Sequence, residues 1–241
     1  MILFLTSSPC VIDAPRAILN PANGFVNRLR DSLPAWPRVL MVSSNPEDHE
    51  SACGFANAMS ATFAEYGMPW GGFQVLDGAS AALAEYMVAT SDLIILMGGH
   101  VPTMNAFLQE IGLRELLQGY EGVVMGISAG SMNCADVVYC HPEESGEAVD
   151  PHYVKFTSGL GLTDVNILPH YQQVHKYMLD GMRLYEDIAY PDSMGHTFYP
   201  MVDGAYYYQD QEHGVFFGKV GKLEDGVLRW ISRDGKYKKI Y

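Results

Sequence analysis

The chain of 241 residues lacks several features that define whole classes of protein. It has only four cysteines, and no two of them form a C-x-x-C pair, so reduced thiols in a cytoplasmic protein are the simplest expectation. No apolar run approaches the roughly 18–20 residues that cross a bilayer, so no membrane partner is expected. The formal net charge is −13, which argues against nucleic acid as a partner, because such proteins need a basic face.

Motifs for metals, repeats and linkers are missing as well. There is no H-E-x-x-H motif, and His170 and His175 are five residues apart, a poor spacing for two ligands on one helical face. We therefore expect no metal and no cofactor. No internal repeat or linker-like stretch interrupts residues 1–241, which predicts a single domain. The first residues, "MILFLTSSPC", have no basic group before the apolar run, so they indicate a first strand rather than a signal peptide.

Short apolar runs alternate with helical patterns over the first 130 residues. Strands that are apolar throughout are typical of a parallel sheet buried on both faces, and their alternation with helices predicts a doubly wound α/β fold. The predicted strands are Ile2–Ser7, Arg38–Ser43, Gly72–Leu76, Leu93–Met97 and Val123–Ile127, and the predicted helices are Gly24–Ser32, Cys53–Tyr66, Ala79–Ala89 and Thr103–Leu117.

The sequence changes character after about residue 198. Four turn signals, each an acidic residue or histidine followed by glycine, separate segments rich in aromatic and β-branched residues. This pattern predicts an antiparallel β meander at the edge of the same domain. Its tyrosines could pack internally or pair with a second subunit, so a monomer or a homodimer is expected.

The segment "GISAG" at 126–130 raises the main question of function. It follows a predicted strand and precedes a predicted helix, Ala129–Asp136, which is the setting of a nucleophile elbow. The tight turn would place Ser128 in strained backbone geometry, with glycines two residues away on either side. The alternative is an ordinary strand-to-helix turn that holds a capping serine.

Two further segments favour a catalytic serine. "LMGGH" at 96–100 ends a strand with two glycines, so the N–H of Gly99 and the N–H of Ala129 could form an oxyanion hole. "LPHYQ" at 168–172 places His170 just past a short apolar segment, Val165–Leu168, where it could act as the general base. The acid that would orient its ring is left open by spacing alone.

These motifs together resemble the S51 family of serine peptidases, which includes aspartyl dipeptidase (peptidase E) and cyanophycinase. The likeness rests on the opening "LFLTSS", "MGGH", "GISAGSMN", "LGLTDVNILPHYQ" and a late D-G-A. It implies a flavodoxin-like three-layer fold related to class I glutamine amidotransferases, in which serine replaces their cysteine. It also implies hydrolysis of short peptides, aspartyl dipeptides among them.

The resemblance assigns roles position by position. Ser128 matches the nucleophile, His170 the general base, and Gly99 and Ala129 the oxyanion donors. Glu144 is the best match for the acid, in a loop shortly after the elbow. The other acids considered are Glu143, Glu147 and, more distantly, Asp203 in "VDGAY".

Two residues are expected to contact the substrate. The family commonly has G-G-N-T where this chain has "GGHVPT", so His100 is expected to change those contacts. Arg183 falls where a cation could meet a substrate carboxylate, although a solvated helix arginine is an equally simple interpretation. The partner expected is therefore a small peptide substrate.

Other functions fit less of the sequence. An α/β-hydrolase esterase shares G-x-S-x-G, but its histidine normally follows its last strands, and only 42 residues separate Ser128 from His170. An amidotransferase-like lyase or amidase would need a cysteine at position 128. A binding or scaffold protein that kept the fold and lost activity is the non-enzymatic alternative.

Overall fold

The computed structural model describes all 241 residues, and its centre is an eight-stranded sheet. Five parallel strands make up one side of this sheet, in the spatial order β3-β2-β4-β5-β1. They are β1 (Ile2–Thr6), β2 (Arg38–Val42), β3 (Gly72–Leu76), β4 (Leu93–Leu96) and β5 (Val123–Ile127). Every residue of β4 and β5 is buried, which is why these segments are apolar without alternation.

Helices cover both faces of the parallel strands. They are α1 (Phe25–Asp31), α2 (His49–Glu65), α3 (Ala84–Ala89), α4 (Val101–Glu110) and α5 (Leu113–Leu116). Leu93 and Ile95 point into a core shared with α1 and α2, whereas Ile94 and Leu96 point into a core shared with α3 and α4. The alternation along β4 confirms the predicted doubly wound arrangement.

The second half of the chain contributes mostly short elements. The helices are α6 (Ala129–Met132), α7 (Tyr171–Val174) and α8 (Tyr190–Asp192), with a π-helical turn at Leu184–Ala189. The strands are β6 (Val137–Tyr139), β7 (Phe156–Ser158), β8 (Asn166–Leu168), β9 (Met178–Leu179), β10 (Met182–Arg183), β11 (Thr197–Pro200), β12 (Tyr206–Gln209), β13 (Gly214–Phe217), β14 (Val220–Glu224), β15 (Val227–Ser232) and β16 (Tyr237–Lys239).

The C-terminal antiparallel strands are present, but they serve two sheets. β12, β13 and β16 extend the central sheet beyond β1, as expected of an edge meander. β11, β14 and β15 instead join β8 in a separate four-stranded sheet. Within that sheet β8 and β11 run parallel, so the ends of two strands from distant parts of the chain lie side by side.

The helix after β5 is shorter than predicted. It ends at Met132 rather than Asp136, because the backbone bonds of the following residues leave the α-helical pattern. The N–H of Asp136, which would donate to the Met132 carbonyl in a longer helix, donates instead to the carbonyl of Thr163. None of the helices is long and apolar enough to cross a membrane.

Candidate active site

Ser128 stands at the sharp turn between β5 and α6. Its backbone has φ 49° and ψ −112°, a conformation that costs a non-glycine residue about 1–3 kcal/mol. The turn is tied to the neighbouring strand: the Ser128 N–H donates to the carbonyl of Thr6, and the Ser131 hydroxyl bridges the Thr6 N–H and carbonyl at 2.9 Å each. These bonds hold the strained turn in place.

The two glycines of the pentapeptide are required by close packing. A Cβ at Gly126 would lie 2.5 Å from the Cα of Ser131, and a Cβ at Gly130 would lie 2.2 Å from the carbonyl oxygen of Leu96. Both distances are shorter than a carbon atom can accept without backbone movement. The two glycines of G-x-S-x-G are therefore explained by packing: Gly126 lies against Ser131 in the helix that follows, and Gly130 lies against Leu96 in β4.

His170 reaches Ser128 from the end of β8. Its Nε2 lies 3.0 Å from the Ser128 Oγ, so the two residues meet in one cleft. His170 has φ 56°, and its N–H donates to the Ser7 hydroxyl at 2.7 Å, which anchors the left-handed turn to the end of β1. About 29% of the His170 side chain is exposed, so the pair is open to solvent.

Asp203 is the acid that contacts the imidazole. Its Oδ1 lies 2.8 Å from the His170 Nδ1 and also accepts a bond from the Ser7 hydroxyl at 2.5 Å. The Gln172 amide donates to Oδ2, and the Asp203 N–H donates back to the Gln172 carbonyl oxygen. The parallel pairing of β8 with β11 produces this contact, because His170 and Asp203 lie just beyond the ends of these two strands.

The environment of Asp203 favours its charged form. Burial of the side chain, which is 6% exposed, would by itself raise the pKa of this carboxyl. Hydrogen bonds from His170, Ser7 and Gln172, together with the charge of the imidazole, outweigh burial and lower the pKa below its ordinary value. A carboxylate that accepts from Nδ1–H leaves Nε2 as the acceptor that faces Ser128.

Glu144, the acid expected from the resemblance, does not contact His170. It is exposed, and its N–H donates to the Glu147 carboxylate, as does the N–H of Glu143. The loop that holds these three acids is folded by its own bonds against the start of α4, where Glu147 also contacts His100 at 2.9 Å. The structure thus places Asp203, the more distant candidate of the sequence, in the contact with His170 that was expected of Glu144.

The two residues expected as oxyanion donors differ in exposure. Gly99 is exposed, whereas Ala129, the residue after Ser128, is fully buried, and neither N–H donates a hydrogen bond within the protein. Gly99, Ser128 and His170 all line a cavity of about 270 Å³. A second cavity, of about 240 Å³, opens on the other side of the pair and is lined by Ser128, His170 and Glu143.

The two residues expected to bind substrate have different surroundings. His100 follows Gly99 directly, and its ring lies between Thr103 at 2.8 Å and Glu147. Arg183 lines neither cavity, and its guanidinium is paired on the surface with Asp187 at 2.8 Å. The solvated interpretation of Arg183 is the one that agrees with this position.

One group of side chains has the composition of a metal site. His100, Glu144 and Glu147 bring possible ligand atoms within 4.8 Å of one another. Both oxygens of Glu147 are already engaged, one by the His100 ring and one by two backbone N–H groups. Hydrogen bonds therefore already use both carboxylate oxygens of Glu147 in this cluster.

The largest cavity of the protein, about 740 Å³, lies at the opposite edge of the central sheet. It is lined by residues at the beginning of strands, such as Ile2, Arg38 and Val123, and it holds no pairing of nucleophile and base. The carboxyl edge, where Ser128 and Gly99 follow their strands, is the edge at which parallel α/β sheets bind ligands. The candidate site is therefore placed at the smaller cavities beside Ser128 and His170, because the catalytic pair lies there.

Comparison with known proteins identifies structures of the same fold and the family of this chain. Two solved structures share the fold. One is a peptidase from an acI-B1 Actinobacterium, with 19% identity and a TM-score of 0.66 over 99% of this chain and 96% of that chain. The other is a candidate peptidase E from Listeria monocytogenes EGD-e, with 15% identity and a TM-score of 0.60 over 96% of this chain and 98% of that chain. A search of curated proteins finds no match. The model of peptidase family S51 matches residues 38–190, well over half of the sequence. The chain belongs to peptidase family S51.

Proposed function

We propose that this peptidase hydrolyses short peptides with Ser128 as nucleophile, His170 as general base and Asp203 as the acid that orients the imidazole. The observation that carries the proposal is the unbroken line of contacts from the Ser128 Oγ to the His170 Nε2 and from the Nδ1 to the Asp203 Oδ1, at 3.0 and 2.8 Å. Both distances lie in the range needed for proton transfer.

The proposed reaction begins when His170 Nε2 takes the proton of the Ser128 hydroxyl as Oγ attacks the scissile carbonyl. The developing oxyanion accepts hydrogen bonds from the N–H groups of Gly99 and Ala129. The imidazolium, stabilised by Asp203, then gives its proton to the leaving amine, and an acyl–serine ester remains. Water, deprotonated by His170, attacks that ester and releases the acid product with Ser128 restored.

The order of these residues along the chain separates the proposal from an esterase of the α/β-hydrolase type. That fold places its triad in the order serine, acid, histidine. Here the order is Ser128, His170, Asp203. The nucleophile, base and acid therefore follow a different order along this chain than in an α/β-hydrolase. A peptidase is the function that agrees with the family.

The inactive-scaffold alternative is opposed by the backbone at Ser128. A scaffold has no use for a serine held at φ 49° beside a free imidazole nitrogen, at a cost of about 1–3 kcal/mol. A chain that had lost its activity could relax this turn. The strain therefore favours a working nucleophile.

The test is hydrolysis of a dipeptide panel and of short acyl esters by the purified protein, with Ser128→Ala and Ser158→Ala in parallel. Ser158 is exposed on β7, far along the chain from the elbow, and serves as the matched control. We expect dipeptide cleavage that disappears in Ser128→Ala and is unchanged in Ser158→Ala. Ester turnover without cleavage of any dipeptide, or activity that survives Ser128→Ala, would contradict the proposal.

A further inference from the structure

The cavity of about 240 Å³ beside Ser128 has a wall of unusual composition for a family that includes aspartyl dipeptidases. Most of its surface comes from apolar side chains on four separate elements: Met132, Leu168, Val174, Leu184 and Tyr185. Its size suits one side chain of a peptide. Because it opens on both Ser128 and His170, a side chain placed in it would belong to a residue next to the scissile bond.

No cation lines this cavity. Its charged or titratable groups, apart from the catalytic histidine and two tyrosines, are His141 and Glu143. His141 is buried, and burial lowers the pKa of its ring to about 4, so the ring is neutral at pH 7. Arg183, the residue expected to meet a substrate carboxylate, lies outside the cavity in its pair with Asp187.

Glu143 adds to the mismatch with an acidic substrate. Burial, and then the charges of Glu147 and Glu144, raise the pKa of its carboxyl above the ordinary value. In either protonation state this carboxyl supplies no positive charge to the cavity. A substrate carboxylate would lose its water there, find no cation, and lie beside a second carboxyl.

We propose that this cavity binds an uncharged apolar side chain of the residue next to the scissile bond and excludes an acidic one. The inference rests on the proposed function, because it assigns a substrate class to the same Ser128 site. It separates this chain from the aspartyl specificity that its resemblance implies. The determinants are the apolar wall and the absence of a lysine or arginine, with Glu143 as the only acidic residue in the lining.

The experiment compares two dipeptide series, Xaa-Ala and Ala-Xaa, in which Xaa is alanine, leucine, methionine, phenylalanine, aspartate or lysine. In the series whose variable residue enters the cavity, we expect kcat/KM for leucine to exceed that for aspartate by about 100-fold, the range that a mismatched pocket produces. Aspartate equal to or better than leucine in either series would overturn the inference. Lysine better than leucine in both series would also overturn it, because charge rather than the apolar wall would then select the substrate.

Two variants test whether this cavity is the determinant. Glu143→Arg supplies the missing cation and is expected to raise the ratio of aspartate to leucine turnover by at least about tenfold. Glu212→Arg, at an exposed position outside the cavity, makes the same change in charge and is expected to leave the ratio unaltered. Val174→Phe fills the cavity and is expected to lower phenylalanine turnover more than alanine turnover. Unchanged ratios in both cavity variants would overturn the inference.

Failure of the inference can be distinguished from failure of the proposed function. A fluorophosphonate that labels Ser128, together with cleavage of Asp-Ala in preference to Leu-Ala, would keep the serine mechanism and reject the apolar cavity. A protein that neither reacts with the probe nor cleaves any dipeptide would reject both.

Discussion

Replacement of Asp203 by asparagine tests the proposed acid most sharply, because it keeps the shape of the side chain and changes its charge and hydrogen bonding. The Asp203 carboxylate accepts from the His170 Nδ1–H, which leaves Nε2 free to accept the Ser128 proton. An asparagine that turns its NH₂ toward the ring donates to Nδ1 and moves the ring hydrogen to Nε2. The imidazole then presents a donor to Ser128 and can no longer act as its base.

The size of the effect follows from this change of tautomer. In serine hydrolases with a triad of serine, histidine and aspartate, loss of the correct histidine tautomer lowers kcat by about 10⁴-fold. At about 1.4 kcal/mol per factor of ten, this equals about 5.5 kcal/mol of transition-state stabilisation. The alternative orientation, with the amide NH₂ toward Gln172, would set two donors against each other, since the Gln172 amide donates to Oδ2. The Ser7 hydroxyl, which donates to Oδ1, can rotate to accept from an NH₂ at that position, so the hydrogen bonds around Asp203 favour the inactive tautomer.

The assay is kcat/KM on the best dipeptide, with Glu144→Gln as the matched control. Glu144 is exposed and contacts Glu147 rather than His170, so we expect its variant to stay within about twofold of the parent protein. Circular dichroism and a thermal melt establish that Asp203→Asn is folded. The reasoning would be refuted if Asp203→Asn kept a tenth or more of the activity, or if Glu144→Gln lost as much as Asp203→Asn.

The remaining predictions concern the steric and electrostatic surroundings of the site. Gly130→Ala places a Cβ 2.2 Å from the Leu96 carbonyl oxygen. We therefore expect the variant to lose about 1–3 kcal/mol of stability, measured by urea unfolding, and to lose activity as well. A variant as stable and active as the parent would show that the turn can move. The ring of His141 is buried, and its pKa falls from 6.5 to about 4 on folding, so between these values the unfolded chain binds the additional proton. Stability should therefore fall by about 3 kcal/mol as the pH drops from 6.5 to 4, and a flatter profile is expected for His141→Gln; equal slopes in the two proteins would contradict this assignment.

The sequence was sufficient for the parts of the fold that depend on local pattern. The strands of the parallel half, such as Leu93–Leu96, are apolar because both faces are covered, and that property is written in consecutive residues. The elbow at Ser128 was also visible, because the close approach of Leu96 and Ser131 leaves room only for glycine at two fixed positions. Such steric constraints act over a few residues and leave a recognisable pattern.

The acid and the C-terminal sheets could not be predicted in the same way. Asp203 meets His170 only because β8 and β11 pair in parallel across about thirty residues of intervening chain, and nothing local marks that pairing. The turn signals after residue 198 do specify hairpins, but a hairpin pattern does not say which sheet each strand joins. As a result, the predicted single meander is divided between the central sheet and the four-stranded sheet.

The helix after Ser128 shows a related limit. Residues 129–136 have a composition compatible with a helix, but the N–H of Asp136 donates to the carbonyl of Thr163 and not to that of Met132. Tertiary hydrogen bonds of this kind override local propensity. The elbow therefore has a single helical turn behind it.

The measurement that tests the serine mechanism most directly is the location of a fluorophosphonate adduct by mass spectrometry of the labelled and digested protein. We predict one adduct, on the Ser128 hydroxyl, formed at a rate that falls sharply in His170→Ala and is zero in Ser128→Ala. An adduct on any other residue, or a folded protein that hydrolyses peptides while Ser128 stays unmodified, would contradict the mechanism.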